Sequence, residues 1–314
     1  MRGAVPRKIN NPVTIKFSRL LLPLAAVAAL NAQELQPRAY LPAPIGLTYL
    51  SLSYTGNSGG LLFDPSLPVE DARVNARVPT AALGGALNVF GRSGQVLAIL
   101  PYVQADFNGT ISGTAQYRRR SGLADTTYRF SSNLYGAPAL HRTEFAKYRP
   151  RTLVGASLTV TAPTGQYDPN LLINIGQNRW AFKPELGISH FVGRWDFEVA
   201  FGAWLYTNNT SFYGGQVRKQ DPLGSIQLHV VRLLPRRMWV AFDGTFYTGG
   251  RSYVGNTIKA DYQANTRFGG TWGMAIGSRQ ALRFAYFGGA TTRVGQDINS
   301  FSVAYQVFWQ TGRE

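Results

Sequence analysis

Residues 180–205 alternate in a way few folds can use. Trp180, Phe182, Pro184, Leu186, Ile188, His190 and Val192 hold the even positions, while Ala181, Lys183, Glu185, Gly187 and Ser189 hold the odd ones. After Gly193-Arg194 the parity reverses. Trp195, Phe197, Val199, Phe201, Ala203 and Leu205 now form one row, against Asp196, Glu198, Ala200 and Gly202. Period-two alternation describes a strand with unlike faces. If Gly193 and Arg194 are the central pair of a tight turn, Val192 falls opposite Trp195 and His190 opposite Phe197. All the apolar residues then share one face. Glycine in the first central position is the type II′ signature, so turn chemistry and register agree.

The predicted hairpin is about a dozen residues tall. Strands of soluble domains run to roughly five or six residues, whereas a tilted strand needs roughly nine to eleven to cross a bilayer. Its apolar face has aromatic residues near both ends, where interfacial girdles lie in a transmembrane barrel. Its other face carries Lys183, Glu185, Asp196 and Glu198, costly in a packed core but ordinary in a watery lumen. An amphipathic hairpin on a large soluble β-sandwich is the competing reading.

The N-terminus has the order of a signal peptide. Arg2, Arg7, Lys8, Lys16 and Arg19 form an acid-free basic lead, and residues 20–30 are an apolar run too short to span a membrane. Leu30-Asn31-Ala32 offers a cleavage site. Removing residues 1–32 takes five of the 32 basic residues and none of the 16 acids, which lowers the net charge from +16 to +11. The chain has no Cys, so no disulfide staples it. Its arginines scatter over turns and loops instead of forming a stripe, and with export this argues against a nucleic-acid partner. They suit solvated ends near anionic lipid headgroups.

The same rhythm recurs along residues 45–57, 73–90, 95–106, 123–135, 151–163, 223–234, 238–248, 265–277, 281–291 and 300–310. Pro101 suits a bulge or a strand end. Polar loops are expected over residues 59–71, 108–121, 207–222, 249–264 and 294–299, with one short helix near residues 140–147. Short turns alternate with long connections, as in outer-membrane barrels. The expected fold is an all-β, transmembrane antiparallel β-barrel of about twelve strands, with both termini on one side. Residues 33–44, a Pro-punctuated periplasmic segment, lie outside the wall or fold into the mouth of the barrel. Phe301, Val303, Tyr305, Val307 and Trp309 give a last strand that the barrel-assembly machinery would read, although residues 311–314 follow the terminal aromatic.

Several stretches carry a family resemblance: PRAYLPAPIG (37–46), FDPSLPVED (63–71), FGRSG (90–94), NLYGAPAL (133–140), APTGQYDPNLLINIGQNRWAFKPELGIS (162–189), QDPLGSIQ (220–227) and YTGGR (247–251). Together they resemble the meta-pathway phenol degradation family of Gram-negative outer-membrane transporters. The resemblance implies a barrel for uptake of aromatic or other small compounds. It implies no degradation by the chain itself and supplies no catalytic residues.

The residues offer little chemistry of their own. His141, His190 and His229 lack a ligand partner at short spacing, so no metal site is expected. Ser225 and His229 share a strand face but would lie roughly 13 Å apart, too far for a nucleophile and its base. Residues 250–256 (GRSYVGN) place Asn256 where a phosphate loop needs Lys. Asp64, Asp168 and Asp221 each precede Pro and suit turns. No catalytic residue, metal or cofactor is expected.

The reading is a passive channel in the Gram-negative outer membrane, whose partners are lipid, a small solute and the assembly machinery. Arg129, Lys183, Glu185, Asp196, Glu198, Asp243 and Arg283 are the expected lumen-lining set. These charges either contact solute or pair and brace the wall. A barrel enzyme acting on lipid and a structural barrel with a plugged lumen are the alternatives. The mature protein should begin at or near Gln33. Intact mass of the membrane-extracted chain checks this, and retained Arg2 would contradict it.

Overall fold

The computed structural model describes residues 36–62, 69–111, 113–171, 173–293 and 295–311. The leader expected over residues 1–32 and the turn at Asp64 lie outside them. The strands are β1 (Leu47–Leu62), β2 (Val69–Val89), β3 (Arg92–Ile111), β4 (Thr114–Leu123), β5 (Thr126–Tyr135), β6 (Thr152–Ala162), β7 (Ala181–Val192) and β8 (Trp195–Tyr206). After them come β9 (Asn209–Phe212), β10 (Gln216–Gln220), β11 (Leu223–Leu234), β12 (Met238–Gly249), β13 (Ser252–Val254), β14 (Thr257–Ile258), β15 (Gln263–Ile276), β16 (Gln280–Thr291) and β17 (Gly295–Gln310). One short helix, α1 (Arg142–Phe145), falls in the connection before β6.

The large sheet closes on itself through antiparallel β1–β17 and β2–β3 pairings. β4 and β5 both pair with β3 at successive heights, so together they fill one position in the wall. The result is a closed, twelve-stranded, transmembrane antiparallel β-barrel. Closure leaves no open edge, which a bilayer requires because lipid cannot bond a free N–H or C=O. The break between β4 and β5 has a local cause. Pairing with β3 steps from Ile99↔Thr127 to Tyr102↔Leu123 around Pro101, which has no N–H to donate. The Pro101 carbonyl still accepts the Ala124 N–H at 3.0 Å.

The β7–β8 hairpin has the expected register, with Val192 opposite Trp195 and His190 opposite Phe197. Gly193 sits at φ 60°, the left-handed region that the first position of a type II′ turn needs, and Arg194 stays at negative φ. Side chains sort by parity as the pattern requires. Leu186, Phe201, Leu228 and Phe242 stand exposed on the outer wall, whereas Lys183, Asp196 and Asp243 are buried inside.

Elsewhere the pattern concealed structure. β2 and β3 are 21 and 20 residues long, and their alternation is weak because part of the inner face is also apolar. Val74, Ala76, Val78, Val103, Ala105 and Phe107 point inward and pack with Leu61, Ile175 and Ile298. The polar loop expected over residues 108–121 is a β3–β4 hairpin, tied by Tyr117 donating to Asp106 at 2.5 Å and by an Arg119–Asp106 pair at 3.9 Å. The connections after β8 and β12 form a second sheet in the order β14-β13-β10-β9, and residues 295–299 belong to β17. Beyond the bilayer the outward face is released from lipid, and β9, β10, β13 and β14 are only two to five residues long. No alternation is then required, and these segments read as loops.

The two faces respond differently to charge. Phe201 lies mid-strand on the lipid side and Phe197 near the turn. Phe201→Arg should cost ~2–4 kcal/mol and block assembly, and Phe197→Arg near the interface ~0–1 kcal/mol. The folded fraction in a heat-modifiability gel measures both. Equal loss for the two would contradict the depth assignment.

Candidate functional site in the barrel lumen

The chain before β1 does not stand outside the wall. Residues 36–44 run up into the lumen and cross it. The Arg38 N–H donates to Glu198 Oε2 at 2.7 Å, and the Arg38 guanidinium lies 5.6 Å from the Trp239 ring centre. The Tyr40 hydroxyl donates to Glu185 Oε1 at 2.9 Å and lies 3.1 Å from Ser157 Oγ. Gln95 on β3 donates to the Leu41 carbonyl at 2.9 Å.

Two glycines shape the seat for the Tyr40 ring. Gly155 on β6 and Gly187 on β7 are direct cross-strand partners, and a Cβ on either would overlap the ring. The wall is hollowed there by the absence of side chains, and an aromatic fills the hollow. Arg129 covers the ring from β5, 5.1 Å from its centre.

Glu185 is the hub beside this seat, two residues along β7 from Gly187 toward the long connection. Its Oε2 pairs with Lys183 Nζ at 2.9 Å and accepts from Gln227 Nε2 at 2.9 Å. Its Oε1 faces Arg129 Nη2 at 3.7 Å besides accepting from Tyr40. Three of the residues expected in the lumen, Arg129, Lys183 and Glu185, therefore form one network. Glu198 and Asp196 occupy neighbouring inward positions on β8, and Glu198 holds the backbone of the entering segment. Asp243 is committed to a separate cluster, with His229 Nδ1 at 2.7 Å and the Thr271 hydroxyl donating at 2.7 Å. Arg283 lies on the inward side of β16 near Tyr49 and Asp243, joined to neither by a hydrogen bond or ion pair among the described residues. Ser225 Oγ turns to the Gly202 carbonyl at 3.4 Å, and His229 is held by Asp243, so the two do not form a nucleophile–base pair.

Beside Tyr40 is a cavity of about 130 Å³. Val78, Leu97 and Ile99 give its lining apolar surface and Arg129, Lys183 and Glu185 give it charge, with Leu97 and Arg129 side by side as partners of β3 and β5. A roughly 150 Å³ apolar cavity holds one benzene molecule, which sets the size class. Toward the long connections, the loop between β6 and β7 folds inward. Ile175 joins the apolar cluster of β1–β3, and the Ile173 carbonyl accepts from Arg120 at 2.9 Å.

The model of the family described as "Putative MetA-pathway of phenol degradation" matches residues 70–312. The chain belongs to this family. Among solved structures, an outer membrane channel from Pseudomonas putida F1 superposes with a TM-score of 0.76 at 20% identity, covering 88% of this chain and 100% of that one. The β domain of the Bordetella autotransporter BrkA gives 0.50 at 12% identity, covering 84% and 100%. At these identities the likeness is one of fold. No curated protein matches the chain.

Reasoning from sequence missed the aromatic part of this family member's lumen. Tyr40, Trp204, Tyr206 and Trp239 all face inward, and none of them belongs to the expected lumen-lining set. A signal was present in Trp204 and Tyr206, which continue the row of Asp196 and Glu198. It was hidden because an aromatic in an otherwise polar row looks like a strand end. Tyr40→Ala should raise single-channel conductance while leaving the barrel folded, and Gly187→Leu should do the same by evicting the ring. Unchanged conductance in both folded variants would show that Tyr40 does not close the lumen.

Proposed function

We propose that this family member is a passive channel of the Gram-negative outer membrane for small aromatic molecules, with residues 36–44 as its stopper. The single observation that carries the reading is the cavity beside Tyr40, lined by both apolar and charged side chains. Its apolar lining suits an aromatic ring, and its polar lining suits a hydroxyl or other small polar handle. The name of the family points the same way. The stopper is held by a few hydrogen bonds, two cation–π contacts and a close-fitting ring, contacts that can be exchanged for a solute without unfolding the wall. The lumen charges serve chiefly to brace: Arg129 and Lys183 spend their charge on Glu185, and His229 is paired with Asp243. The reading is of a transporter and not an enzyme, because the inward Ser and His are tied to different partners.

Current through the reconstituted protein in a planar bilayer tests this. Phenol should interrupt the current in a concentration-dependent way, and an aliphatic polyol of similar size should not. Leu97→Asp, which puts a charge among the apolar lining residues, should abolish the interruptions in a folded barrel. Equal interruption by phenol in wild type and Leu97→Asp would contradict the assignment of the cavity.

A further inference from the structure

The small sheet on the long-connection side buries two arginines that have no counter-ion among the described residues. Arg179, in the connection before β7, is 4% exposed, and Arg218, in the middle of β10, is 7% exposed. The Arg179 guanidinium stacks on Tyr206 at 4.2 Å, and that of Arg218 faces Phe212 at 5.7 Å. Arg179 donates to Gln177 Oε1 from Nε and Nη2 at 3.2 and 3.1 Å, and to Gln220 Oε1 at 2.5 Å. Gln220 lies two residues from Arg218 on the same face of β10, which brings the two cations to one place. Arg179 Nη1 and Arg218 Nε are both buried without a partner. Among the described residues, neither arginine has an ion pair within 4 Å.

The acids nearest in effect are otherwise engaged. Asp125 accepts the N–H groups of Gly165 and Gln177, both at 2.9 Å. Asp261 accepts the Ser252 N–H at 2.8 Å and the Ser252 hydroxyl. Burial, and then the repulsion of Arg218, hold the Arg179 guanidinium below its ordinary range. Two buried like charges with idle N–H groups are costly unless an anion comes between them. Guanidinium forks favour a planar carboxylate, which takes two N–H groups at once. Below them on the inward face of β8, Tyr206 is followed by Trp204, which faces Lys183 at 5.7 Å. A row of aromatics thus leads from the arginines to the lumen cavity.

We propose that Arg179 and Arg218 form an anion-recognition site at the outer mouth that takes a carboxylate borne on an aromatic ring. It extends the channel reading only in assigning this class of solute, and binding can be measured apart from conduction. The full chain, folded in detergent micelles, is titrated calorimetrically with benzoate, benzyl alcohol and inorganic phosphate. Wild type should bind benzoate saturably. Arg179→Gln and Arg218→Gln should each weaken it roughly tenfold or more, as expected for loss of a charged hydrogen bond. Arg218→Lys keeps the charge but loses the fork, and should fall between. Benzyl alcohol should be indifferent to all three changes. Heat modifiability establishes that each variant is folded, and should one Gln variant fail to fold, the other and the Lys variant decide. Benzoate binding that is absent from wild type, or unchanged in a folded Gln variant, overturns the site. Phosphate binding as tightly as benzoate overturns the aromatic carboxylate in favour of a general anion or lipid phosphate. Intact benzoate binding with no interruption of current by phenol would count against the channel reading and leave this site standing.

Discussion

A strand in lipid must find a hydrogen-bonding partner on each side, and no partial solution is available. That constraint closes β1 onto β17 and β2 onto β3, and it sets the height of the wall. It also divides the chain chemically. Residues facing lipid have to be apolar at every level of the bilayer, so Leu186, Phe201 and Phe242 alternate strictly. Residues facing inward are released from that demand and can be charged, aromatic or absent.

The interior uses all three options, and they depend on one another. Absent side chains at Gly155 and Gly187 make room for the Tyr40 ring. The Tyr40 hydroxyl then reaches Glu185, whose charge is already balanced by Lys183 and Arg129. A single added Cβ would thus disturb a ring, a hydroxyl and a carboxylate together. The wall remains a lattice of backbone hydrogen bonds, while the stopper is held through side chains and a few carbonyls. The stopper is the part that can move at small cost to the fold.

How much of this the sequence discloses varies with what each residue faces. The β7–β8 hairpin is legible to the register of single pairs because lipid and lumen enforce opposite chemistries on its faces. β2 and β3 are less legible because Val74, Ala76, Val78 and Phe107 make their inner face apolar too. The small sheet of β9, β10, β13 and β14 was unreadable, since strands of two to five residues are too short to show a period. The charged residues of β7 and β8 could be placed inward from parity alone. Their partners could not, because Glu185 meets Tyr40 across 145 residues and Glu198 meets Arg38 across 160. A local pattern carries no trace of such contacts. Arg179 and Arg218 lie in segments that read as loops, and nothing in their neighbours marks them as buried.

The central claim is that residues 36–44 are seated in the lumen for most of the protein's life. Amide hydrogen exchange of the reconstituted protein tests it directly. The N–H of Arg38 is bonded to Glu198, that of Leu41 to the Arg38 carbonyl, and that of Ile45 to the Leu140 carbonyl. Exchange at these three amides should be far slower than at freely solvated amides, though faster than in the paired strands of the wall. Exchange at the rate of an unprotected chain would mean that the segment spends its time outside the barrel, and the account of a stoppered lumen would fall.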